Sequence, residues 1–246
     1  MYGDNVYDFK FEGSFQLVRS MNFVCVYYGK KYQVDYVQHL YNMVERHSSV
    51  PYNFICFNNH EDLALKVKGN IDYRRFHYTD FDGWWNKLQL FSPEAGLVGP
   101  NLYMDLDVVV LDSINDLFTF GDDQTFGVIR DFNPSTKQYN SSIMKWNNTI
   151  GTPCIWEPYL KERAKWDREQ GDQNVMSLLM QKHGSRWLRT MPDEWTFSYK
   201  WNNRENPRFA KSDWTFEKNS ESKVAVFHGN PNPHESDQEW VKSNWC

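Results

Sequence analysis

Apolar positions follow two different periods along the chain. FVCVYYG (23–29) is a β-rich run closed by Gly29, whereas YQVDYVQHLYNMVERHS (32–48) repeats its apolar residues at helical spacing. PYNFICFNN (51–59) reads as a second strand ended by Asn58–Asn59, and WWNKLQLF (84–91) as a helix that stops near Pro93. NLYMDLDVVVLD (101–112) is a third strand. Further on, TFGVIRDF (125–132) and SSIMKW (141–146) have strand character, GDQNVMSLLMQKHG (171–184) has helix character, and residues 185–222 are mixed. KVAVFHGNPNPHE (223–235) is a last strand running into a Gly/Pro/Asn turn. Strands alternating with helices predict a single α/β domain, Rossmann-like, whose mixed and mostly parallel central sheet is flanked by helices and binds ligand at the carboxyl ends of its strands. MNFVCVYYG, from Met21, reads like a natural chain start, so the domain is expected over 21–246 with 1–20 as an N-terminal extension.

Composition narrows the function classes. A net charge of −5 with only local Lys/Arg pairs argues against sequence-independent nucleic-acid binding, which draws its affinity from cations on phosphates. No run approaches the ~18–20 apolar residues of a membrane span, and residues 1–20 lack the apolar segment of a secretory signal. The four cysteines, at 25, 56, 154 and 246, show no metal-finger spacing and read as reduced thiols of a cytoplasmic protein. Aromatic residues make up 17% of the chain, including 11 Trp, which suits either a thick core or a surface that stacks on flat ligands.

The run 101–112 carries a contradiction: Asp105 and Asp107 sit inside a segment that otherwise reads as buried. Burying carboxylates is costly unless they are neutralised. Residues i and i+2 share a strand face, so both can meet one divalent cation. The other Asp-x-Asp triplet, Asp80 and Asp82, lies in a polar, Gly-containing stretch where solvated aspartates need no partner. A cation held by two carboxylates suits a diphosphate, because it neutralises charge growing on the leaving phosphoryl oxygens. His228, ending an apolar strand before Gly229 and two prolines, is the natural third ligand; an O,O,N donor set favours Mn²⁺, with Mg²⁺ the alternative.

Taken in order, GKKY, WWNKLQLF, YMDLDVVVLDSINDLF, YNSSIM, GDQNVM and VFHGNPNP resemble glycosyltransferase family 8 and related retaining enzymes of the GT-A fold, from about residue 23 to 235. The resemblance implies that Asp105, Asp107 and His228 hold Mn²⁺ on a nucleotide-sugar diphosphate, with Leu106 and Gly229 beside them on the donor side. It implies Tyr27 and Tyr28 near the uracil, Lys87 near the phosphates or donor sugar, Asn140 near the donor sugar, and Asp172–Gln173 at the reacting carbon. The implied activity is a metal-dependent hexosyltransferase moving a sugar from a UDP-sugar, UDP-glucose first, to an acceptor hydroxyl with retention. The acceptor stays open: carbohydrate, lipid-linked or protein. One departure stands out. The family's turn lysine, which meets the diphosphate, is replaced here by Asn232, leaving Lys87 or Arg130 as candidate substitutes.

Two rival readings remain at this level. Asp105 and Asp107 also fit the nucleophile and acid of a haloacid dehalogenase-type phosphatase, but GDQNVM ends in Met176 where that chemistry needs a second acid. A non-catalytic carbohydrate-binding protein would use the many Trp as platforms. On the residues alone, Asp172 is equally well a helix N-terminal acid, and Asp172 or Asp131 could act as a general base in an inverting transfer.

Overall fold

The computed structural model describes residues 21–133, 135–200 and 221–246; the expected extension 1–20 lies outside the described residues. In chain order the strands are β1 (Met21–Tyr27), β2 (Tyr52–Asn58), β3 (Ile71–Arg75), β4 (Pro100–Met104), β5 (Val108–Val110), β6 (Phe126–Arg130), β7 (Tyr139–Asn147), β8 (Leu188–Thr190), β9 (Thr196–Ser198) and β10 (Val224–Val226). A seven-stranded sheet has the order β3-β2-β1-β4-β7-β6-β8, and a three-stranded sheet the order β5-β10-β9. In the large sheet β3, β2, β1 and β4 run parallel to one another, β6 runs parallel to β8, and only β7 runs against both of its neighbours, so the sheet is mixed and mostly parallel as expected.

Strand alternation divides the core into two layers. From β1, Phe23, Cys25 and Tyr27 face the helix Asp35–His47 and the small sheet, while Val24 and Val26 face the opposite layer. That second layer is built from the turn Gly83–Phe91, helical segments between Asn148 and Trp166, and the helix Asp172–His183. The richness in Trp is spent largely here: Trp146, Trp156 and Trp166 are all buried.

Two elements differ from their sequence-based expectation. WWNKLQLF forms a 3₁₀ rather than an α-helix. Its Asn86 amide donates to the Gly83 carbonyl at 3.1 Å, the acceptor that an α-turn would offer to the Lys87 N–H. The run 101–112 is not one strand. β4 lies at the middle of the large sheet and β5 in the small one, so Asp105, Leu106 and Asp107 form the step between two sheets. The Asp105 N–H still bonds the Ser142 carbonyl at 2.9 Å on the β7 side, and the Asp107 carbonyl already accepts from Phe227 N at 3.0 Å beyond β10. The flanking apolar residues are continuous in sequence because both sheets are buried, which hides the break from a hydrophobicity reading.

Candidate functional site

A cavity of about 400 Å³ opens where these strands end. It collects the carboxyl ends of β1, β4 and β10 together with the start of β7, since β7 runs the other way. Tyr28, Lys87, Asp105, Leu106, Asp107, Asn140, Asp172, Gln173, His228 and Gly229, expected from sequence, all line it.

Tyr27 does not. Alternation turns its ring to the other layer, where it stacks on His60 at 4.3 Å, while Tyr28 faces the cavity and meets Phe76 edge-on. The parity of one residue separates them, and parity is undefined until the register with β2 and β4 is known.

The floor of the cavity is a buried ionic cluster. Lys87 Nζ lies 2.9 Å from Asp105 Oδ1 and 3.3 Å from Asp172 Oδ2, and donates to Ser141 Oγ at 3.2 Å. Tyr103 donates its hydroxyl to the same Asp105 oxygen at 2.6 Å, and Ser141 Oγ donates to Asp172 Oδ2 at 3.3 Å. Burial opposes the charge on Lys87, but attraction from Asp105 and Asp172 outweighs it and raises its pKa, so the amine stays protonated. For Asp105, burial is outweighed by Lys87 and the Tyr103 hydroxyl, which hold it below the usual carboxylate range. Asp172 is pushed upward by burial, with Lys87 pulling back and the Asp105 charge adding to the rise. Asp172 is the first residue of its helix and also lines the cavity.

Asp107 and His228 line the same cavity. Tyr32 donates its hydroxyl to Asp107 Oδ2 at 2.8 Å, and burial, followed by repulsion from Asp105, raises the Asp107 pKa. His228 stacks on Phe132 with centroids 5.6 Å apart, and its Nε2 is 2.6 Å from Ser198 Oγ. Burial, then the nearby Lys200 charge, brings the His228 pKa down to about 4, which leaves the ring neutral near pH 7.

Two carboxylates and a neutral imidazole lining one cavity are the donor types a borderline divalent ion takes. In the side-chain positions seen, their oxygens and nitrogen are engaged by Lys87, Tyr103, Tyr32 and Ser198, and among the described residues no three His, Cys, Asp or Glu side chains are gathered closely enough to hold an ion. The residues therefore fit a cation in kind, with side-chain turns needed to close on it.

Gln173 is held from two sides. Its Nε2 donates to Asp131 Oδ2 at 2.8 Å, and its Oε1 accepts from Ser141 N at 3.3 Å. Trp84 stands at the rim, 59% exposed, with its indole against Gly171 at the start of the same helix. The second Asp-x-Asp triplet is structural: Asp82 accepts from Gly83 N at 2.8 Å, and Asp80 pairs with Arg163 at 2.6 Å near the surface.

Sequence reasoning did not single out Lys31, Tyr32, Tyr103, Ser141 or Ser142, all of which line the cavity. Lys31 and Tyr32 lay within the quoted GKKY, and Ser141 and Ser142 within YNSSIM. The Tyr32 hydroxyl meets Asp107 75 positions away and Ser141 meets Lys87 54 positions away, contacts that only the fold supplies.

No family model and no curated protein matches the sequence. Solved structures do match the fold. The chain superimposes on an active-site mutant of LgtC with TM-score 0.65 at 16% identity, over 91% of this chain and 93% of that one. It also matches galactosyltransferase LgtC in complex with donor and acceptor sugar analogues, with TM-score 0.60 at 15% identity, over 92% of this chain and 97% of that one. The glycosyltransferase GlyE of Streptococcus pneumoniae TIGR4 gives TM-score 0.64 at 15% identity, over 92% of this chain and 60% of GlyE.

The chain has the GT-A fold. In this GT-A chain the cavity stands at the strand ends, where open α/β sheets bind ligands. No helix among the described residues is long and apolar enough to cross a membrane.

Proposed function

We propose that the cavity is the active site of a hexosyltransferase that moves a sugar from a UDP-sugar, UDP-glucose in the first instance, to an acceptor hydroxyl with retention. The observation that carries the reading is the convergence of Asp105, Asp107, Asp172, Gln173 and His228, widely separated in sequence, on one cavity at the strand ends of a GT-A fold. Mn²⁺, with Mg²⁺ as the alternative, would be held by Asp105, Asp107 and His228 and would supply a counter-charge to the departing diphosphate.

The chain's own residues account for the rest of the chemistry. Tyr28, beside the end of β1, offers a ring face for the base. Lys87 is a fixed positive charge that orients Asp105 and Asp172, and Asn140 is a polar contact for the donor sugar at the mouth of β7. Asp131 and the Ser141 N–H fix the Gln173 amide against the cavity wall, where it can stabilise positive charge developing at the anomeric carbon. Trp84 at the rim presents an exposed indole to an incoming acceptor.

The rival readings fare worse. The phosphatase reading lacks the second acid its chemistry needs, since GDQNVM ends in Met176. A Trp-lined binding surface is disfavoured because Trp146, Trp156 and Trp166 are core residues.

The test is release of UDP from UDP-glucose, UDP-galactose and UDP-N-acetylglucosamine, with Mn²⁺ and with EDTA. The proposal expects metal-dependent UDP from at least one donor. Absence of UDP from all three, with phosphate released instead from p-nitrophenyl phosphate, would move the assignment to a phosphatase.

A further inference from the structure

The Asn232 position leaves the proposed donor site without the turn lysine expected from the family resemblance, and the structure points to where the missing charge comes from. Asn232 itself is engaged locally: its N–H donates to Glu235 Oε2 at 2.6 Å and its side-chain amide to the same oxygen at 3.2 Å. Arg130, one candidate substitute, is 64% exposed and faces Asp193 at 3.6 Å. Lys87, the other, is already committed to Asp105 and Asp172.

Lys200 differs from all of these. It follows β9, which lies parallel beside β10, so the chain delivers it to the His228–Gly229 turn. Its Nζ donates to the His228 carbonyl at 3.0 Å and stands so close over Gly229 that a Cβ there would meet it at 2.9 Å. Gly229 and His228 are cavity residues. Lys31 lines the same cavity, and its amine rests on the ring of Tyr32, the residue bonded to Asp107. Neither amine forms an ion pair with a carboxylate among the described residues. A neutral carbonyl is a weak partner for a partly buried ammonium, and a phosphate oxygen, through a charge-assisted bond, is a stronger one.

We propose that Lys200, at the His228–Gly229 turn, together with Lys31 of the cavity lining, grips an anion at the cavity and binds the diphosphate of the nucleotide, replacing from the end of β9 the cation that Asn232 does not supply. This rests on the nucleotide-sugar reading for the identity of the anion. It does not depend on it for the existence of an anion site.

The experiment is calorimetric titration of the full chain with UDP, uridine and inorganic pyrophosphate, each with Mn²⁺ and with EDTA. Wild type is compared with Lys200→Ala, Lys200→Gln and Lys200→Arg, with thermal melts to verify folding. Lys200→Ala and Lys200→Gln should each weaken UDP about tenfold and leave uridine unchanged, while Lys200→Arg stays within about threefold of wild type. The wild-type affinity for UDP should fall more steeply with added salt than that of Lys200→Gln. A Lys200→Gln variant that binds UDP like wild type would overturn the proposal, because glutamine keeps a donor for the His228 carbonyl and loses only the charge. Equal loss of uridine and UDP would also overturn it, showing that Lys200 merely braces the turn. Pyrophosphate separates the two levels. Lys200-dependent pyrophosphate binding without UDP binding would uphold the anion site and sink the donor assignment, and wild type binding neither would overturn both.

Discussion

Replacing Lys87 by methionine removes the only cation in contact with two buried carboxylates among the described residues, and its cost can be bounded from the geometry. At 2.9 Å and 3.3 Å, the pairs with Asp105 and Asp172 are each worth about 5–6 kcal/mol of Coulomb attraction at an effective dielectric of about 20. The side chains are little exposed, 8% for Lys87, 24% for Asp105 and 9% for Asp172, so solvent screens the cluster weakly. The variant has one escape, which is to protonate a carboxylate. Against an unfolded pKa near 3.9, that costs about 4 kcal/mol at pH 7 and about 1.5 kcal/mol at pH 5. The predicted loss is therefore about 4 kcal/mol at pH 7, within the range of about 3–5 known for a buried pair that loses one partner.

The sign with pH follows. Without Lys87 the carboxylate has a folded pKa above its unfolded one, so the penalty is full above the folded value and fades as pH falls toward the unfolded value. Urea unfolding followed by far-UV circular dichroism at pH 7 and pH 5 measures both. Adding Asp172→Asn should restore much of the loss, since it removes one uncompensated charge. A loss under about 1 kcal/mol at pH 7, a deficit that grows on acidification, or a double variant that simply adds the two losses would refute the reasoning.

Two further predictions use the same physics in contrasting settings. Asp80→Ala breaks the Arg163 pair of 2.6 Å, but with side chains 60% and 30% exposed it should cost less than about 1 kcal/mol in the same unfolding assay; a loss of several kcal/mol would contradict it. The His39 ring packs tilted against Trp245 with centroids 4.0 Å apart and an unbonded buried Nδ1, and burial lowers its pKa, with Arg46 adding to the fall and Asp35 opposing it. The unfolded chain therefore takes up the proton first, and stability should drop as pH falls below about 6.5. His39→Phe, which keeps the ring contact, should make that drop shallower, and an unchanged acid limb would exclude His39 as its source.

Much of this molecule was legible in its sequence because apolar periodicity records burial. β1, β2 and the helix Asp35–His47 follow from it within a few residues. The oddness of Asp105 and Asp107 was legible for the same reason, as charge where burial was expected. What periodicity could not record is which sheet a strand joins. Val108–Val110 looks like a continuation of β4 because both sheets bury their strands. Tyr27 and Tyr28 are indistinguishable by residue type and are separated only by register. Lys87 was readable as a donor-side cation, yet its attachment to Asp172 joins segments 85 positions apart and required the fold. Lys200 lies in a stretch with no clear period, and nothing short of the β9–β10 pairing brings it to the turn at Gly229.

The central claim is that this GT-A cavity holds a metal-bound nucleotide diphosphate through Asp107 rather than through the surface triplet at Asp82. The most direct measurement is UDP titration with Mn²⁺ and with EDTA for wild type, Asp107→Asn and Asp82→Asn. Asn also caps helices well, so Asp82→Asn should preserve its turn and bind like wild type, while Asp107→Asn should lose the Mn²⁺-dependent part of the affinity. Wild-type UDP affinity that is the same in Mn²⁺ and EDTA, or equal losses in the two variants, would contradict the account.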